Sequence, residues 1–218
     1  MERIRADLNN QAWHSVPYAI AMSKLMPTIG VKYVDGLWTT ESDGPTTATH
    51  VRQPNPMFER EIPINQFQLE YFDKVIPDIA ESSMFSPAPG HGHTPVWILG
   101  HLAICGELGQ KLLGGSISHP DWIERFGPRS VDDIARDDSL TLALVTNALR
   151  DGYRELCNLA ASTTDQAALD RPHGMPSLTD TPIVTVADTI ALLLTNHFAF
   201  HLSQLSSCRR SAGMPPLF

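Results

Sequence analysis

Residues 186–213 read VADTIALLLTNHFAFHLSQLSSCRRSAG, and no other stretch constrains the fold as tightly. Ile190, Leu194, His197, His201, Gln204 and Cys208 follow one another at steps of four, three, four, three and four. That period sets them along one face of a helix, the face that packs against neighbouring helices and is ordinarily apolar. In the middle of this seam stand two imidazoles and an amide. Each costs free energy at a buried position unless something pairs with it. Residues four apart on a helix are neighbours, with Cβ atoms about 5–6 Å from one another. A cation shared by His197 and His201 would satisfy both.

One helix rarely fills a metal's coordination sphere, so a third ligand is expected on a second seam. Residues 95–113, PVWILGHLAICGELGQKLL, supply it. Ile98, His101, Cys105, Leu108 and Leu112 again step by three and four, which puts His101 at a core position near the start of that helix.

The 218 residues suffice for one domain, or one domain and an appendage. A hydrophobic content of 42% allows a sizeable core, and no apolar run is long enough to span a bilayer. The net charge of −8 argues against a general nucleic-acid binder, which needs a basic patch. Three cysteines at no metal-finger spacing fit reduced thiols better than a disulfide framework. The N-terminal residues lack the apolar core of a signal peptide. The expectation is a soluble cytoplasmic protein with neither nucleic acid nor membrane among its partners.

Residues 1–56 differ in character from 57–218. VKYVDGLWTT suggests a small hairpin turning at Asp35-Gly36, and a tract rich in Thr, Gly and Pro follows. Met57 opens the helical pattern, so the first 56 residues read either as an N-terminal extension or as sequence ahead of an internal start. Four helices are expected beyond it. The first runs from about Pro63 to Ser82 with the stripe Ile64, Phe67, Tyr71 and Val75, and Pro77 should kink or shorten it. The second has Thr94 as N-cap and Pro95 at its first position, and stops at Gly114-Gly115. The third starts near Ser139 and carries Leu142, Val145, Leu149, Leu156 and Leu159, with Gly152 permitting a close approach. The fourth opens with a capping-box-like Thr185-Val-Ala-Asp188 and ends at Gly213. Residues 116–138 and 163–185 are long enough to cross over. Trp122, Ile123 and Phe126 in the former are expected to pack down as a lid. The expected fold is all-α, a four-helix bundle with long crossover connections.

Three groups of residues carry a family resemblance: Pro95-Val-Trp97-Ile-Leu-Gly100-His101-Leu-Ala, His197-Phe-Ala-Phe-His201-Leu-Ser-Gln204, and Arg210-Ser-Ala-Gly213-Met-Pro215-Pro216. In this order, on these helices, they resemble the DinB/YfiT-like superfamily over about residues 57–218. The resemblance implies a four-helix bundle holding a divalent metal through one histidine of helix 2 and two of helix 4. By position these would be His101, His197 and His201. It further implies a homodimer. Some members transfer low-molecular-weight thiols such as mycothiol or bacillithiol, and others isomerise maleylpyruvate with a thiol cofactor. The family name implies neither polymerase activity nor DNA binding.

Three neutral imidazoles suit zinc, nickel or another borderline ion and leave at least one coordination position open. Such a position can take a small-molecule thiol or a water and favour its deprotonation. A metal-dependent transferase or isomerase using a low-molecular-weight thiol and a small-molecule substrate is the expectation. The alternatives are a metal-dependent hydrolase of a small ester or amide, and a non-catalytic metal-binding or interaction protein. An HExxH metalloprotease is excluded, because Phe198 stands where the glutamate base belongs. Gln204, one turn beyond His201, either orients a ligand, touches substrate, or is a satisfied core amide. Cys105 and Cys208 fall on the same seams and read as small apolar filler or as additional ligands. Cys157 reads as packing, and Trp97 and Trp122 as core. His91 and His93 form an H-x-H pair without a scaffold partner. His14, His50, His119 and His173 read as surface or turn residues. Arg209 and Arg210 read as helix-capping cations, and Glu107 as a general-base candidate without a spacing argument.

Overall fold

Pro95 can begin a helix because its missing N–H falls where a helix has no partner to offer one. Thr94 completes that start by accepting from the Trp97 amide at 3.3 Å. In a computed structural model of the chain, which describes residues 57–87, 93–131 and 134–217 and the backbone of two short strands, this helix is the centre of the fold. The helices in chain order are α1 (Glu61–Val75), α2 (Pro95–Leu112), α3 (Trp122–Phe126), α4 (Leu142–Ser162), α5 (Gln166–Asp170), α6 (Val186–Leu192) and α7 (Phe198–Ser211). A π-helical turn, Leu193–His197, joins α6 directly to α7. The described residues are mostly helical, and none of their helices is long and apolar enough to cross a membrane.

The chain divides into two units, Met1–Val51 and Arg52–Phe218. In the first, β1 (Val31–Val34) and β2 (Leu37–Thr40) pair antiparallel with Val34 opposite Leu37. Two residues separate the strands, in agreement with the hairpin expected around Asp35-Gly36, although that turn itself lies outside the described residues. The remaining expectations for residues 1–56 also lie outside them.

In the second unit α2 is buried on almost every side from Pro95 to Glu107. It packs most closely on α4, and α7 lies against both α1 and α2. Small residues set the α2–α4 distance. A Cβ on Gly106 would meet the Gly152 carbonyl carbon at 3.1 Å, and one on Gly152 would meet the Ala103 oxygen at 3.3 Å. Gln110 Nε2 then donates to Gly152 O at 2.8 Å across the contact. Ile98, Leu99, Leu102, Leu149, Leu156 and Leu205 close the core around it, each contributing about 1.5–3 kcal/mol by leaving water. Gly152 therefore acts as the sequence suggested.

Several boundaries and faces depart from expectation. Pro77 ends α1 early, at Val75, and short 3₁₀ turns at Ile76–Asp78 and Glu81–Ser83 replace its last turns. The stripe of α1 is rotated: Ile64 and Phe67 are exposed, while Asn65 and Gln68 turn inward with Phe72 and Val75. Asn65 Nδ2 donates to Leu194 O at 3.0 Å and Gln68 Nε2 to Thr195 O at 3.2 Å, both carbonyls of the π turn. Polar groups buried in a wide helical turn require partners, and satisfying them outweighs hiding two apolar side chains. The N-cap of α4 is Thr141, whose hydroxyl accepts from Leu144 N, while Ser139 bonds to Asp137 instead. The capping box of Thr185 and Asp188 forms as expected.

Candidate metal centre

His101 lies in the second turn of α2, buried to 5% exposure, and its orientation follows from the glycine before it. A Cβ on Gly100 would stand 2.6 Å from the Phe126 ring. Because glycine is there, α3 settles onto α2 and Phe126 O comes within 2.7 Å of His101 Nδ1. A carbonyl cannot donate, so Nδ1 carries the proton and the Nε2 lone pair is left to face inward. His201, on α7, is tied similarly. Its Nδ1 lies 2.7 Å from Gln204 Oε1, one turn along the same helix. His197 is the last residue of the π turn. Its Nε2 lies 3.2 Å from His101 Nε2, and its buried Nδ1 has no hydrogen-bond partner among the described residues.

The ligand atoms of His101, His197 and His201 all lie within 4.8 Å of one another. Burial, and then mutual repulsion between the rings, push His197 down to about 3. Burial, and then the charge of His101, push His201 down to about 4. Both rings are therefore neutral near pH 7, with lone pairs available. Two imidazoles with their far nitrogens committed, and a third against them, form a group that could hold a metal ion. The sequence profile of the DinB superfamily matches residues 43–205.

The chain belongs to the DinB superfamily. No curated protein matches it, and no solved structure does. The superfamily match begins at residue 43, ahead of Met57, where the helical pattern opens.

In this DinB chain the three histidines of the sequence expectation come together, and Gln204 meets one of them. Cys105 lies beside two of the three, with Sγ 3.6 Å from His101 Nε2 and 3.9 Å from His197 Nε2. Burial pushes its thiol up to about 12, so unassisted it is no nucleophile. Cys208 instead lines a cavity with Asp78, Ile79 and Arg209. Trp97, read as core, is also a wall of the site. It stacks on His101 at 4.6 Å and, on its other face, on His93 at 4.1 Å, while its Nε1 donates to Ser130 Oγ. His93 thus has the neighbour that spacing could not supply, and its charge presses His201 further down. His91 lies outside the described residues.

Other roles change. Glu107 is no free base: Oε2 accepts from the amides of Ser118 and His119, and Oε1 lies 2.6 Å from His119 Nδ1. His119, read as a surface residue, is therefore half of a pin that holds the α2–α3 connection, with Trp122 stacked on it at 4.4 Å. Phe126 packs down fully, whereas Ile123 is exposed because α3 is one short turn with a single inward side. Arg209 stands in the last turn of α7 as expected, and it is also buried, donating to Asp78 and to Pro215 O. His173 bonds Ile183 O and the Met175 amide within its loop. Sequence spacing missed Phe126 O and Asn65, since neither a backbone carbonyl nor a cross-helix amide leaves a periodic signal. Gly100 beside His101, in the apolar first half of α2, was the available hint.

Proposed function

We propose that His101, His197 and His201 hold a divalent cation, zinc or nickel, in a DinB-type four-helix bundle formed by α1, α2, α4 and the α6–α7 helix. We propose further that the protein is a transferase or isomerase acting on a small molecule with a low-molecular-weight thiol as cosubstrate. One observation carries this reading. Two of the three imidazoles have their Nδ1 committed to a carbonyl or amide oxygen, which leaves Nε2 of each as the metal-binding atom, and the ligand atoms of the three rings lie within 4.8 Å of one another.

A bound cation supplies Lewis acidity, which favours deprotonation of a thiol near neutral pH. The chain's own residues do the positioning. Phe126 O and Gln204 fix the rings of His101 and His201, and Trp97 forms a flat wall that excludes water on the α2 side. Glu107, the general-base candidate of the sequence, is committed to the connection after α2 and is not poised as a base. That arrangement favours a reaction whose nucleophile arrives with the cosubstrate.

Metal content by inductively coupled plasma mass spectrometry tests the first claim. About one equivalent of zinc or nickel per chain is expected in the wild type, lost in a still-folded His197→Ala/His201→Ala variant. A wild type that is empty and cannot be reloaded would overturn it. For the second claim, added low-molecular-weight thiols should perturb the visible spectrum of the cobalt-loaded protein. Turnover of small esters or amides without any thiol would point to hydrolysis instead, and an unperturbed spectrum with no turnover to a non-catalytic site.

A further inference from the structure

We propose that Cys105 is a fourth protein ligand to the cation, bound through its thiolate. The inference rests on the metal-binding reading above and adds a sulfur to it. Two i, i+4 pairs meet at the same place, His101 with Cys105 on α2 and His197, ending the π turn, with His201 on α7. Such pairs share one helical face. The distances among Cys105, His101 and His197 agree with a shared ion. Metal–nitrogen bonds of about 2.1 Å and a metal–sulfur bond of about 2.3 Å at tetrahedral angles put sulfur about 3.6 Å from nitrogen, and two nitrogens about 3.3–3.4 Å apart. Here Sγ lies 3.6 Å and 3.9 Å from the Nε2 atoms of His101 and His197, which are 3.2 Å from one another. His201, within 4.8 Å of both rings' ligand atoms, draws in to complete the set.

A chain of S–H and N–H hydrogen bonds is the competing arrangement. In that chain the thiol donates to His101 Nε2 and its sulfur accepts from His197 Nε2, whereas a cation is held by the sulfur and both nitrogens together. On coordination the S–H bond breaks, its proton passes to solvent and its electron pair forms the sulfur–metal bond. Three imidazoles and one thiolate fill four positions. An entering small-molecule thiol then has to displace a protein thiolate or raise the coordination number to five, as zinc sites can do during reaction.

The test is cobalt loading of the full chain, wild type and Cys105→Ala, in a reductant that is not a thiol. In the wild type, visible d–d bands and a near-ultraviolet sulfur-to-cobalt charge-transfer band are expected at one equivalent. In the variant the charge-transfer band falls to background while the d–d bands persist. X-ray absorption of the zinc form should show one sulfur at about 2.3 Å, absent from the variant. If the variant fails to fold, the wild-type spectra alone decide. Visible bands without charge transfer would overturn the Cys105 ligand and leave the histidine site standing. No bands at all would overturn both.

Discussion

His101, His197 and His201 differ in how their far nitrogens are held, and that difference sets what each substitution should do. Gln204 fixes His201 through a 2.7 Å contact, so Gln204→Ala is expected to weaken zinc affinity by about 10–100-fold. Competition with a chromophoric chelator would measure it, and an unchanged affinity would make Gln204 a bystander. Gly100→Ala should act indirectly, by forcing Phe126 off α2 and taking its carbonyl from His101. Overpacking of this kind costs about 1–3 kcal/mol, to be read as a lowered urea midpoint together with weakened metal binding. The metal-free protein should also lose stability in acid. An unfolded histidine titrates near 6.5, whereas burial holds His197 at about 3 and His201 at about 4. Between those values the unfolded chain binds protons that the fold refuses. Stability of the chelator-treated protein is therefore full above about pH 6.5 and declines as the pH falls toward about 4. Urea midpoints across that range would check it, and a profile unchanged by His197→Gln/His201→Gln would assign the loss elsewhere.

The π turn, Leu193–His197, is the element on which the site depends. Its wider winding is the join between α6 and α7, and His197 sits on its last residue. Asn65 and Gln68 of α1 donate to two of its carbonyls, and Asn65 Oδ1 in turn accepts from Cys157. Replacing Asn65 with leucine removes the side-chain donor from the Leu194 carbonyl. A loss of about 1–3 kcal/mol is expected, measurable by denaturant, with weaker metal binding accompanying it if the π turn relaxes to α. Stability loss without any change in metal binding would separate the turn from the site. The amphipathic stripe of α1 is legible from spacing only as a helix. Which side faces inward is decided by where the π turn's carbonyls lie, and no local pattern in residues 61–75 encodes that.

At the scale of the whole molecule, the homodimer implied by the family resemblance remains a proposal about assembly. Sedimentation equilibrium is expected to return twice the 24.0 kDa chain mass, and a single-chain mass would remove it. The long helices α2, α4 and α6–α7, the caps at Thr94 and Thr185, the close contact at Gly152 and the histidine positions on two seams were legible in the amino-acid order, unlike α5, the π turn and the Thr141 cap of α4. Each is encoded by residues within one or two helical turns of one another, where period and capping chemistry act directly. The tertiary structure alone decided which groups complete the site. Phe126 O lies 25 residues from His101 along the chain, and Asn65 lies 129 residues from Leu194. The pairing of His119 with Glu107, and the approach of Cys105 to His197 across 92 residues, have the same origin. Such contacts depend on how helices pack and on where a buried polar group finds its partner, which is a property of the assembled core and not of any segment within it.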